Sequence, residues 1–149
     1  MTTSSRLFWL AAILMAALLC TSCGDGRKPV YPARGQVFFE GKPTPGALVI
    51  FHPLNDPDPN AMHPLARVEA DGSFALTTYQ GKDGAPAGEY TVTVSWVRDV
   101  DRQNLTAEEQ KKEEPNLLPD RYSNSETSGL RAEIKKGPNE LPPFQLKRQ

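Results

Sequence analysis

Two imidazoles and two carboxylates are the side chains of this sequence that could act together on one ion. His52 and His63 bracket Asp56 and Asp58 in the order His-x3-Asp-x-Asp-x4-His. Imidazole nitrogen and carboxylate oxygen are ligands that a divalent metal accepts. A metal-dependent enzyme built on them would need all four within about 2.0–2.2 Å of the same ion. Each histidine precedes a proline, Pro53 and Pro64, which fits a strand end and a loop, where imidazole is usually solvated. The run Asp56-Pro57-Asp58-Pro59-Asn60 alternates carboxylates as the opening of a calcium loop does, but lacks the glycine and later glutamate such a loop requires. There is no Gly-x-Ser-x-Gly elbow and no glycine-rich phosphate loop. The residues therefore point away from catalysis and imply no cofactor.

A second group of polar residues sits in a long connection. Residues 98–129 separate two strand-like segments, and an insertion of that length in a compact domain is usually functional or disordered. Arg121, Tyr122 and Asn124 lie in it and could face a ligand together with Asp56 and Asp58. Equally, Leu117, Leu118 and Tyr122 could pin the connection over an open sheet edge. The chain has 149 residues, room for one domain, and its 17 basic and 18 acidic side chains leave no basic surface for nucleic acid.

The first residues read as an address. Residues 7–19 are uncharged and apolar and follow Arg6, a length that suits a secretory signal and falls short of the roughly 20 residues of a membrane span. The following Cys20-Thr21-Ser22-Cys23-Gly24-Asp25-Gly26 resembles a bacterial lipobox. In that signal small residues precede the cysteine that receives diacylglycerol. Cys23 has small Thr21 and Ser22 before it, whereas Cys20 follows Leu18 and Leu19, so Cys23 is the expected lipidation site. Residues 1–22 are then a signal peptide, residues 23–33 the lipidated cysteine and a tether, and residues 34–149 the domain. Several acyl chains would hold the protein firmly at a membrane, facing the extracytoplasmic side.

Elements able to position these groups are strands. Residues 89–97 alternate, with Tyr90, Val92, Val94 and Trp96 on one face and Glu89, Thr91, Thr93 and Ser95 on the other, which predicts one face in a core and one in water. Residues 73–78 and 130–135 alternate similarly, and 36–39, 47–52, 65–69 and 143–146 are shorter candidates. The wholly apolar run at 47–51 predicts a central strand covered on both sides. Asp71-Gly72 marks a tight turn. One surface helix is expected from Thr106, where Thr106-Ala107-Glu108-Glu109 has the capping-box form and Pro115 ends it.

Several of these motifs carry a resemblance. Gly35 to Phe51 (GQVFFEGKPTPGALVIF) is similar to the opening hairpin of carboxypeptidase regulatory-like domains. Glu69-Ala70-Asp71-Gly72-Ser73-Phe74 and Ala85-Pro86-Ala87-Gly88-Glu89-Tyr90 resemble their turn and strand-start motifs. Leu118-Pro119-Asp120-Arg121-Tyr122 looks like the later part of small lipoproteins abundant in planctomycete bacteria. The resemblance implies an all-β, antiparallel, seven-stranded prealbumin-like (Ig-like) sandwich with one short surface helix. Intradiol dioxygenases of that class bind iron through two tyrosines and two histidines. Tyr31, Tyr79, Tyr90, Tyr122 and two histidines are present here, but their paired His-x-His is not. The expectation is a non-enzymatic module that binds or scaffolds an envelope protein or polysaccharide while anchored to the membrane through its lipid. The alternatives are a metal-dependent envelope enzyme using His52, His63, Asp56 and Asp58, or a structural envelope protein.

Overall fold

The computed structural model describes residues 26–56, 58, 60–97 and 115–148. Cys23, the signal segment and the expected helix from Thr106 lie outside them. The described residues are mostly β-structure, and each of the seven expected segments contains a strand. In chain order the strands are β1 (Val30–Tyr31), β2 (Ala33–Phe39), β3 (Lys42–Pro43), β4 (Leu48–Pro53), β5 (Leu65–Arg67), β6 (Ser73–Ala75), β7 (Ala85–Pro86), β8 (Gly88–Ser95), β9 (Leu130–Ile134), β10 (Asn139–Glu140) and β11 (Phe144–Leu146). A 3-10 turn at Asp120–Ser123 precedes β9.

One sheet runs β5-β4-β8-β9 and is antiparallel throughout. The other is built around β2. Antiparallel β6 and β3 share one partner strand, β2, to which β10 and β11 add in parallel. The two parallel pieces correct the expectation of a purely antiparallel arrangement. They are one edge strand interrupted at Pro142 and Pro143, which have no N–H to donate to a ladder. The hairpin from β2 to β3 turns through Glu40 and Gly41, both at positive φ (50° and 75°). This is the backbone twist that two-residue hairpin loops require.

The two sheets share one apolar core. Val49 and Phe51 of β4 and Tyr90, Val92 and Val94 of β8 are buried, and so are Val37, Phe74, Phe144 and Leu146 from the β2 sheet. Phe51 joins the layers: its ring centroid lies 6.3 Å from Phe74, 5.6 Å from Tyr90 and 6.4 Å from Phe144. The alternation in β8 therefore places Tyr90, Val92 and Val94 in the core as expected, whereas Trp96, just past the strand's end, is only partly buried against it.

Its polar set departs from expectation. Thr91 and Thr93 are buried, at 4% and 6% exposure, where water was expected. The register sets Thr91 between His52 and Arg131 and Thr93 beside Ile50, so a central strand keeps its short outward side chains among longer neighbours. Conversely Leu48 and Ile50 of β4 are only partly buried, so the outer side of this strand is not fully covered. The expected tether also differs. Val30 and Tyr31 pair with Pro86 and Ala85, the Pro32 carbonyl accepts from Asn139 N–H at 2.8 Å, and Ala33 is buried. The segment just before residue 34 is thus part of the fold.

Candidate functional site

The loop 54–64 leaves β4 and returns to β5, and it carries three of the four expected ligands. His52 projects from β4 just before it. The structure brings the two imidazoles together, with ring centroids 5.0 Å apart and planes at 69°. His52 Nε2 lies 2.9 Å from the Thr93 hydroxyl, so the neighbouring strand fixes one side of the ring.

The aspartates do not join the histidines. Asp56 binds the Lys28 ammonium, and its other oxygen accepts the Asp58 N–H at 3.1 Å. Asp58 in turn accepts the Asn60 N–H at 2.9 Å. Each carboxylate thus closes a turn onto an amide two residues ahead, a conformation that short polar side chains favour. The Lys28 contact holds the Asp56 carboxyl below its ordinary range, and the same hydrogen bond raises Lys28. Among the described residues no three His, Cys, Asp or Glu side chains are placed to hold one ion.

Asp56 and Asp58 instead border a cleft of about 190 Å³, with Lys28, Met62, Tyr79 and Tyr90 also on its walls. The Tyr79 hydroxyl accepts the Lys28 N–H at 3.1 Å, and the Arg27 guanidinium stands 5.3 Å from the Tyr79 ring centre. Tyr79 is set in place by Asp83, whose carboxylate accepts the Thr78, Tyr79 and Gln80 N–H groups at 2.7, 3.0 and 3.0 Å. Burial opposes ionisation of Asp83, yet these three donors keep its carboxyl below the ordinary value. The cleft combines an aromatic face with both signs of charge. Sequence inspection pointed to its two aspartates and missed Lys28, Tyr79 and Asp83. Lys28 and Tyr79 lie 51 residues apart, and no local pattern signals their meeting.

The second expected group is arranged differently. Tyr122 is buried at 6% exposure. Its hydroxyl accepts the Lys147 N–H at 2.9 Å and lies 3.1 Å from the Lys147 carbonyl. Arg121 donates to the same carbonyl at 2.7 Å and to the Tyr122 hydroxyl at 3.0 Å. Asn124 is exposed, and its side chain accepts the Glu126 N–H at 2.8 Å, forming another such turn. Arg121 and Tyr122 therefore tie the 3-10 turn to the chain just past β11 and do not present a free face to a ligand; of the residues expected to pin the connection, Leu118 and Tyr122 are buried and Leu117 is exposed. Replacing Tyr122 with Phe should cost about 1–2 kcal/mol of stability by leaving Lys147 N–H without its acceptor. Urea denaturation of the variant checks this.

Three of the four tyrosine hydroxyls of the iron-binding inventory, those of Tyr79, Tyr90 and Tyr122, are also engaged. Tyr79 and Tyr122 meet backbone as described. Tyr90 donates to the Pro86 carbonyl at 2.7 Å, and burial pushes its hydroxyl up to about 12.

Burial first, and the adjacent His63 second, lower the His52 pKa. The unfolded chain then binds this proton more readily than the fold does. Stability should be full above about pH 6.5 and should fall as the pH drops below it. The carboxylates with lowered values lose their contributions only in a more acidic range, so thermal unfolding between about pH 4.5 and 6.5 isolates the histidine. His52→Gln should flatten the melting temperature across that window.

Comparison with protein-family models, with curated proteins and with solved structures finds no match to this chain.

Proposed function

We propose that this chain is a non-enzymatic, lipid-anchored module of the prealbumin-like sandwich class, including the short surface helix near Thr106. In this reading Cys23 holds it on the extracytoplasmic face of a bacterial membrane, and the module binds or scaffolds an envelope protein or polysaccharide.

The observation that carries the reading is the docking of the N-terminal segment. Lys28, Val30, Tyr31 and Pro32 are tied to Asp56, β7 and Asn139, and Cys23 precedes Lys28 by only five residues. Five residues reach about 17 Å at full extension. An acylated Cys23 would therefore keep the module close to the lipid surface, with the Tyr79 cleft near the attachment point. The fold supports the sandwich assignment: the seven longer strands supply two layers over a shared core, and β1, β3, β7 and β10 are two-residue additions. The polar groups of loop 54–64 support a non-catalytic role, because Asp56 and Asp58 are spent on turns and on Lys28.

Membrane fractionation in a bacterial host tests the anchor. The wild type should resist alkaline extraction and be released by detergent, and Cys20→Ser should behave like it. Cys23→Ser should lose the lipid-dependent fraction. If Cys23→Ser partitions and migrates as the wild type does, the proposal is wrong.

A further inference from the structure

We infer that His52 and His63 form a binding site for a borderline divalent transition-metal ion, copper(II) foremost. The ion would be held by two imidazole nitrogens, its remaining positions filled by water or by a side chain of a bound partner. The inference is independent of the membrane reading, since neither histidine contributes to the anchor.

Geometry is the first argument. A metal–nitrogen bond of about 2.0–2.1 Å places the ion about 3.2 Å from the centre of each ring. Two such arms spread between about 90° and 109° separate the ring centres by about 4.5–5.2 Å. The observed separation of 5.0 Å falls inside that interval. The rings already stand at the separation of such a pair, with their planes at 69°.

Orientation is the second. Nε2 of His52 is engaged with the Thr93 hydroxyl at 2.9 Å; in the tautomer whose Nε2–H donates there, Nδ1 carries the lone pair. A ligating histidine ordinarily makes such a bond through its other nitrogen, because it fixes tautomer and ring direction together. Thr93 is itself buried and on the central strand, so the orienting group is rigid. His63 is exposed on the loop, which leaves the ion accessible from solvent.

The ligand set decides the metal. Two nitrogens and open positions suit imidazole-preferring ions, and copper(II) stands highest among the divalent first-row series. Calcium and magnesium demand oxygen ligands, and Asp56 and Asp58 are committed elsewhere. A closed four-ligand zinc centre is not formed among the described residues.

The test is copper(II) titration of the full chain in detergent, with Cys20→Ser and Cys23→Ser introduced to remove competing thiols. Binding is followed by calorimetry and by electron paramagnetic resonance. One copper per chain with couplings to two nitrogens is expected. His63→Gln should weaken binding at least tenfold and remove one nitrogen coupling. It lies on an exposed loop, and unchanged circular dichroism would verify its fold. His52→Gln should weaken binding similarly. Copper affinity and nitrogen couplings that survive His63→Gln unchanged would place the ion elsewhere and overturn the inference.

Discussion

Phe51→Ala is expected to remove about 3–5 kcal/mol of stability, the range for deleting a buried aromatic ring. Phe51 has no exposed surface and is the ring through which the two sheets meet, touching Phe74 and Phe144 across the layer and Tyr90 within its own sheet. Its loss opens a cavity lined by three other rings, each carried by a different strand. Domains of this size are commonly stable by about 5–15 kcal/mol, so the variant should melt far below the wild type or fail to accumulate. Phe51→Leu refills part of the space and should cost less than half as much. Chemical denaturation followed by tryptophan fluorescence gives both values. A Phe51→Ala variant within about 1 kcal/mol of the wild type would mean that the layers are not joined where described.

Gly84→Ala should have an effect of similar size through a different cause. Gly84 has φ +101°, and a Cβ there would stand 1.8 Å from the Tyr31 carbonyl oxygen and 2.8 Å from Pro32 nitrogen. These atoms are backbone and cannot swing aside as a flexible side chain would. The strained conformation adds to the overlap. The variant must therefore release β1 from β7 or distort the 77–84 loop that positions Tyr79. Amide hydrogen exchange over residues 28–33 should accelerate at least a hundredfold. Gly81→Ala, whose Cβ would meet nothing within 4 Å, should leave that exchange unchanged. Equal protection in Gly84→Ala and the wild type would show that the N-terminal segment is not packed there.

Much of the sheet structure was readable from periodicity. In β8, Tyr90, Val92 and Val94 point inward as their spacing requires, and Asp71 closes its turn on Ser73 N–H at 2.9 Å. Alternation reports which face is apolar and carries no information about a strand's partner or direction. For that reason the parallel addition of β10 and β11 to β2, across more than a hundred residues, was not foreseen. The same limit applies to β1, whose two residues show no period and are held by pairing with β7. Thr91 and Thr93 defeated the pattern because a strand flanked on both sides shelters short polar side chains.

The candidate site was less legible. Asp56, Asp58 and Asn124 looked like ligands because polar side chains in proline-rich loops do so. Each is accounted for by an amide two residues ahead, a use with the same sequence signature. Tyr122 could have faced a partner or a core, and Lys147 decides the matter from 25 residues away. His52 and His63 read as solvated side chains at a strand end and in a loop, each before a proline, yet the return of loop 54–64 sets the rings 5.0 Å apart.

Mass spectrometry of the intact protein recovered from bacterial membranes tests the central proposal most directly. The expected species is a chain beginning at Cys23 whose mass includes a diacylglyceryl group on the cysteine sulfur. A chain that retains residues 1–22, or one that carries an unmodified thiol at Cys23, would contradict it.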